Sequence, residues 1–585
     1  MWNATSNKLK PIINIKTISY LLFFLNLSCF IFGILYYIVP HKHTIVNAIW
    51  DVFGVFIVST LFANSLLIFS ENLKLNKMSR LGHRINLFTY FMLLFMLNSL
   101  IFIFLGNFLV SISYENSYFG FFLIFLGYFG DFLFGMVLSF LNIKYVAISK
   151  VWNTDIKTFK QSKRKYLLKK ILKIILATIC VVFFIFGFYI TYAFLLAPLR
   201  DFWAWLIGMF TFQFNLFFGF AFLIATIILL KLINMKKRPK IYYAIMLIGL
   251  FLTSILFLPS FTIPYTENQA EKDFNRTFTF GIDSNRFIDP YSQQFFMEDP
   301  FTLPEYFLGN APQQSRVLKH IPYYFGEGVL LYYDAYLPLY GGSFLPGNNS
   351  VIVKIHGGGW TAGDKGMGNM LQVNKYLATQ GYIVFDIQYG LIKDSDSIFQ
   401  RFAPTPEYVK GYFTIETQVK HIASFIKKLN TTEFSHYNLN LDSVFIMGGS
   451  AGGHLAMTTA LLLDSDEYES WFGTHAKIKG IIPIYPGDPP LVYAGGNISL
   501  KSPEYFYVNQ STPPCLIFQG KKDFCLLKAE NIQTSYYLSL NPHCCIISFP
   551  LQGHASDLYY SGHFNQILLY YTERFLYLCN YGRII

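Results

Sequence analysis

Charged residues are scarce in this chain. They make up 14% of its 585 residues, beside 53% hydrophobic and 19% aromatic, whereas ordinary soluble domains carry about 25% charged residues. That balance excludes an intrinsically disordered chain and argues against a purely soluble one. Acidic residues are scarcer still at the front: residues 1–261 hold six Asp and Glu beside 24 Lys and Arg. Cysteine is sparse too. Two of the seven, Cys29 and Cys180, fall in apolar runs, and the other five (Cys515, Cys525, Cys544, Cys545, Cys579) are an odd number, so at least one of these stays unpaired or pairs outside the chain. The first apolar run has no convincing small-residue cleavage site, which excludes a removable signal peptide in favour of a signal anchor. No transport or channel motif is present.

What is present divides near residue 262. The net charge of +12 separates into +18 before that point and −6 after it. A mildly acidic second half excludes nucleic acid as its partner. The first half carries seven apolar runs, at 18–39, 48–70, 86–110, 118–143, 174–197, 202–230 and 241–261. Each approaches or exceeds the roughly 20 residues that cross a bilayer as a helix, and helix is the form whose backbone bonds close internally in lipid. Lys and Arg alternate across the connections: 22 on the side of the N-terminus, with ten between Lys144 and Lys173, and two (Lys42, Arg200) on the other. This positive-inside pattern predicts a cytoplasmic N-terminus and an extracytoplasmic second half. The same alternation accounts for the basic 157–173 stretch without a nucleic-acid ligand. Asp131 sits inside the fourth run; an intramembrane carboxyl marks either a functional site or a neutral, paired group in the bundle, with Gln213 and Asn215 as available partners.

The predicted organisation is a multi-pass α-helical membrane domain at 1–261, a connector, neck or cap at 262–325 with no sustained period, and an α/β domain at 326–585. In the last, strand candidates at 330–337, 351–355, 383–388, 444–447, 478–484, 515–519 and 545–549 alternate with helical spacing at 368–380, 415–429 and 526–540. Such alternation predicts a mostly parallel sheet covered by helices on both faces.

The chemistry concentrates at strand ends. Gly448-Gly449-Ser450-Ala451-Gly452 matches G-x-S-x-G between a strand and a helix, the turn that lifts a serine hydroxyl above a sheet. His356-Gly357-Gly358-Gly359 follows strand 351–355. The N–H groups of Gly357 and Gly358, with that of Ala451, are the candidate oxyanion hole; His356, Gly359, Gly448 and Gly452 support the two turns. Asp523 follows strand 515–519 and His554 follows strand 545–549, in the order that a Ser-Asp-His triad requires. Ser450 is thus the candidate nucleophile, His554 the base and Asp523 its orienting acid. Asp488 is a weaker acid candidate, preceding the expected strand. No metal or organic cofactor is expected.

The segments "VIVKIHGGGWTAGDKG", "ATQGYIVFDIQYGL", "VFIMGGSAGGHLA", "SPEYF", "TPPCLIFQGKKD" and "GHASD" resemble HGGG-type α/β-hydrolase esterases and lipases. That group includes hormone-sensitive-lipase-like, arylacetamide-deacetylase-like and isoprenylcysteine-methylesterase-like enzymes. The resemblance runs from about Leu330 to the end of the chain and implies ester chemistry without choosing a substrate. One departure is clear. Many relatives continue Tyr-Arg-Leu-Ala-Pro-Glu where this chain has Tyr389-Gly390-Leu391-Ile392-Lys393-Asp394, followed by an insert to about Gly411.

The expected activity is hydrolysis of carboxylic esters, lipid or otherwise lipophilic, by a bilayer-held serine hydrolase. Acyl transfer by the same triad, or a transporter or sensor with a non-catalytic hydrolase-fold domain, are the alternatives. Sequons at Asn275, Asn348, Asn430, Asn497 and Asn509 agree with a lumenal or extracellular domain in a eukaryote; in a bacterium the same topology means periplasm or cell exterior.

Overall fold

The computed structural model describes residues 15–39, 44–74, 80–113, 117–151, 163–198, 201–309, 311–312, 314–368, 370–401, 403, 405–473 and 476–584. Lys8, Lys10, Lys42, Lys77, Arg200 and the 152–162 part of the basic loop lie outside these.

Leu, Ile and Phe surround the first helices on every side. These are α1 (Ile15–Ile38), α2 (Thr44–Lys74), α3 (Arg80–Ile112), α4 (Ser117–Val151) and α5 (Lys163–Leu195). A short α6 (Phe202–Thr211) follows, then α7 (Asn215–Leu232), α8 (Pro239–Phe261) and α9 (Ile263–Phe278). Among the described residues, seven helical segments are long and apolar enough to cross a membrane, α8 and α9 counting as one. Large apolar side chains such as Leu21, Phe24 and Ile185 stand exposed on their outer surface, as lipid contact allows. Inside, polar groups pair across helices: Asn26 and Asn64 exchange side-chain amide bonds of 3.0 and 2.9 Å between α1 and α2.

Two expectations change here. The run at 202–230 is not one span. It breaks at residues 212–214 into α6 and α7, where the Gln213 carbonyl accepts from Tyr306 Oη at 2.9 Å and Phe214 leaves helical geometry. Nor are Gln213 and Asn215 partners of Asp131. Gln213 Nε2 donates to Ala555 O at 3.1 Å and its Oε1 accepts from Tyr559 N at 2.8 Å. Asn215 Nδ2 donates to Leu256 O and Ser260 Oγ. Asp131 is buried in α4, and its Oδ1 has no hydrogen-bond partner among the described residues.

The chain leaves the bundle through α9, which extends α8 after Thr262. Ile263, Thr266, Ala270, Phe274 and Phe278 are its buried face, a 3–4 spacing within the stretch expected to lack a period. Phe274 and Phe278 pack on Tyr571 and Phe575 of the final helix, His563–Asn580. The first half is thereby clamped to the second.

The second half is built on β1 (Ser315–Gly326), β2 (Val329–Pro338), β3 (Ser350–Ile355), β4 (Ile383–Ile387), the short β5 (Leu391–Ile392) and β6 (Lys410–Gly411), β7 (Asn440–Gly449), β8 (Ile478–Ile484), β9 (Cys515–Gly520) and β10 (Cys544–Phe549). Eight of them form one sheet in the order β1-β2-β4-β3-β7-β8-β9-β10. β2 runs antiparallel to both of its neighbours, β1 and β4, and every pairing from β4 through β3 to β10 is parallel. The parallel strands β3 and β4 are buried along their whole length, as helix-covered parallel strands are. Helices Met370–Thr379, Ile415–Lys428, Ala451–Leu463 and Leu526–Leu538 supply the crossovers. β1 was not expected. Its alternation is interrupted by irregularities at Leu318/Ile321 and Pro322/Tyr324, which hide a period of two. All seven cysteines are free thiols.

Candidate active site

Ser450 occupies the turn from β7 into helix Ala451–Leu463, at φ +56° and ψ −123°. Few non-glycine residues hold that conformation, and it costs of order 1–3 kcal/mol unless its surroundings impose it. They do. The Ser450 carbonyl accepts from the N–H groups of Gly453, His454 and Gly487 at 2.9, 3.1 and 2.8 Å. Gly452 must lack a side chain, because a Cβ there would strike the carbonyl oxygens of Ile355 and His356. Gly448 faces the Gly452 carbonyl in the same way. The turn and the end of β3 are therefore fitted backbone to backbone.

Asp523 and His554 stand on the loops after β9 and β10. His554 Nε2 lies 2.7 Å from Ser450 Oγ. Its Nδ1 lies 2.9 and 3.0 Å from the two carboxylate oxygens of Asp523. Asp523 is fully buried and His554 nearly so, and Cys525 N donates to Asp523 Oδ1 at 2.8 Å. Burial disfavours the imidazolium, but the Asp523 carboxylate and its hydrogen bond outweigh that and hold His554 well above the ordinary imidazole range. The imidazole is thus oriented, and its cationic form stabilised, by one partner, while its other nitrogen meets the serine. Asp523, His554 and the Cys525 thiol also form a set of potential metal ligands within 4.8 Å of one another. Both imidazole nitrogens are already engaged by Asp523 and Ser450, so the cluster fits the proton-transfer arrangement better than a metal. Asp488 is not in this chain of contacts; it lies 3.7 Å from Lys501 Nζ.

The glycines after β3 come up beside the serine. A Cβ on Gly357 would be 3.2 Å from Ser450 Cβ. Gly358 has φ +119° and Gly359 φ +62°, so the chain turns sharply there. Among the described residues no hydrogen bond is donated by the N–H of Gly357, Gly358 or Ala451. His356 does not face the serine: its ring stacks on Tyr389 at 4.4 Å, and Tyr389 Oη donates to its carbonyl. The following loop is tied to the sheet by Gly366 N to Asp386 Oδ2, Gln388 Nε2 to Asp364 Oδ1 and the buried Lys365–Asp334 pair at 2.9 Å.

Several residues around the site carry no sequence motif. Tyr485 packs its ring 4.8 Å from His554 and donates its hydroxyl to Asp557 at 2.6 Å. His454 is held neutral: burial depresses its pKa, Trp360 Nε1 donates to its Nδ1 and its Nε2 faces two backbone carbonyls. Phe524 lies 4.6 Å from the His554 ring, and Trp205 of α6 lies 6.3 Å from it. Phe524 adjoins Asp523 and His454 lies in the segment around Ser450, whereas Tyr485 and Trp205 meet the site only through the fold.

Behind Asp523, the helix Leu526–Leu538 is pinned by Lys528 Nζ, which bonds both Glu504 oxygens at 2.8 and 2.9 Å in a fully buried pair. Lys528→Met removes the cation and leaves Glu504 buried and unpaired, a loss of about 3–5 kcal/mol. Urea unfolding measures it, and Glu504→Gln combined with Lys528→Met recovers part of that loss.

A family model described as BD-FAE matches residues 334–487. The chain is 28% identical over 145 residues to a curated protein named probable carboxylic ester hydrolase LipM, from Mycobacterium tuberculosis. The C-terminal half has an α/β-hydrolase-like architecture with a mostly parallel sheet, and part of it is similar to these ester hydrolases. The LipM match covers 24% of this chain and spans 28% of that relative's length. Among solved structures, the inhibited esterase B from Lactobacillus rhamnosis aligns with a TM-score of 0.38 and 19% identity, over 47% of this chain and 90% of that one. Thermogutta terrifontis esterase 2 phosphorylated by paraoxon aligns with a TM-score of 0.34 and 20% identity, over 46% and 95%.

Proposed function

We propose that this protein is a membrane-anchored serine hydrolase that cleaves carboxylic esters at Ser450. The observation that carries the reading is the unbroken contact from Ser450 Oγ through the His554 ring to Asp523, at 2.7 and 2.9 Å. Ser450 Oγ attacks the ester carbonyl carbon while its proton passes to His554 Nε2. The oxyanion so formed sits against the free N–H groups of Gly357, Gly358 and Ala451. Collapse breaks the acyl carbon–oxygen bond, and His554 returns the proton to the departing alcohol. A water then gives its proton to His554, attacks the acyl-enzyme and releases the acid, and the proton goes back to Ser450. Asp523 stays ionised throughout. The seven apolar segments support anchoring of this domain at a bilayer, and the alternation of Lys and Arg along the sequence supports an extracytoplasmic side for it.

The test is a fluorophosphonate probe on the full chain in detergent or vesicles, read by peptide mapping together with p-nitrophenyl butyrate turnover. The expected adduct is on Ser450 and abolishes turnover. An unlabelled Ser450 overturns the proposal.

A further inference from the structure

We propose that α6, a helix of the membrane half, forms one wall of the acyl subsite at Ser450, and that the substrate is a long-chain ester taken directly from the bilayer. This rests on the ester-hydrolase reading above and names its substrate class.

The wall is aromatic and is assembled from three distant parts of the chain. The Trp205 ring lies 6.3 Å from His554, 6.3 Å from Phe524 and 6.0 Å from Phe399. Phe399 comes from the insert after Tyr389, and its ring fills the space where a Cβ on Gly359 would go. Immediately after α6, Phe212 lies against Gly553: a Cβ there would be 3.4 Å from the Phe212 ring. Gln213 then bonds the backbone just after His554, donating to Ala555 O and accepting from Tyr559 N. The helix is therefore fixed at the mouth of the site.

Its position connects that mouth to lipid. Ten residues make about 15 Å of helix, too short to cross a bilayer. α6 links the long α5 to α7, so it lies at the level where those helices end. Every residue from Phe202 to Met209 is apolar or glycine. Trp203 is 61% exposed on its outer side and Leu196, at the end of α5, is 75% exposed; tryptophan favours that depth of a membrane. Two residues on, Trp205 faces the catalytic loop. An acyl chain sliding past α6 stays in apolar contact from the lipid to Ser450, and each methylene kept from water is worth about fourfold in occupancy.

Trp205 carries a second mark of a ligand contact. Its Nε1 is buried and has no hydrogen-bond partner among the described residues. A buried indole N–H ordinarily finds an acceptor; here an ester or glycerol oxygen of the substrate supplies it.

The experiment uses full-length protein in phosphatidylcholine vesicles with p-nitrophenyl palmitate and p-nitrophenyl acetate. Trp205→Ala lowers the palmitate-to-acetate ratio of kcat/KM by about tenfold or more, chiefly through KM. Trp205→Phe keeps the packing, loses the N–H and falls between. In the wild type, palmitate ester placed in the same vesicles as the protein is cut at least about tenfold faster than ester in separate vesicles. An unchanged ratio in both variants, or equal rates in shared and separate vesicles, overturns the proposal. Fluorophosphonate labelling of wild-type Ser450 separates the two levels: without it the hydrolase reading itself fails, and with it only the wall and the lipid route are at stake. The vesicle comparison needs no variant and stands if Trp205→Ala does not fold.

Discussion

Ser450→Ala lowers ester turnover by about a millionfold, the scale seen when a nucleophile is taken from an intact triad. The loss falls on kcat, because the acyl-enzyme cannot form while the ester still binds between Gly357 and the aromatic mouth. A remnant of about a thousandfold over water persists, supplied by the backbone N–H groups and by binding. The variant keeps the fold, since only Oγ is removed and the Ser450 carbonyl still accepts from Gly453, His454 and Gly487. Burst kinetics with p-nitrophenyl butyrate make the measurement. A variant that melts like the wild type and retains its turnover would falsify the assignment of Ser450.

Asp523→Asn is the second large effect, about ten-thousandfold on kcat. Its pH dependence identifies the cause. His554 must be neutral to accept the serine proton, so wild-type kcat/KM climbs with pH as the imidazolium empties. Because Asp523 raises the His554 pKa, that climb is centred above about 6.5, the ordinary imidazole value. In the asparagine variant the carboxylate is gone and burial remains, so the centre moves below it while the plateau drops. Stability runs the other way. A pKa raised on folding makes the protonated pair stabilising; the contribution is complete below about 6.5 and disappears as pH rises through the higher folded value. The variant therefore loses stability mainly at the acid end of that window. A pH–rate profile whose midpoint does not move on substitution would sink the electrostatic account of Asp523.

How much of this was legible depends on the range over which each signal acts. The strands β3, β4, β8, β9 and β10 are short, largely buried apolar runs, so a local reading finds them to within one residue, whereas only the buried centre of β7 is found, its less buried start at 440–442 lying outside the apolar run. Ser450, Asp523 and His554 are brought together because each follows one of those strands, and a parallel sheet puts all such ends at one edge. Local patterns fail where packing decides. β1 is obscured by two irregularities. The buried helix His563–Asn580 passes unnoticed because polar residues such as Asn565, Gln566 and Glu573 lie inside it. Hydropathy fuses α6 with α7, since residues 212–214 include two phenylalanines, and nothing near Gln213 in sequence indicates a partner more than 300 residues away. Trp205 is invisible for the same reason.

The two hydrogen bonds from Gln213 to the histidine loop bear on how the protein is made. Synthesis runs from the N-terminus, so α6 emerges long before Ser450, Asp523 or His554. Gln213 is thus made before the loop it holds, and Ala555 and Tyr559 can meet it only after β9 and β10 have emerged. The same dependence warns against trimming: a fragment that starts after residue 261 keeps Phe399 and Phe524 but loses Trp205, Phe212 and the two Gln213 bonds that hold the histidine loop.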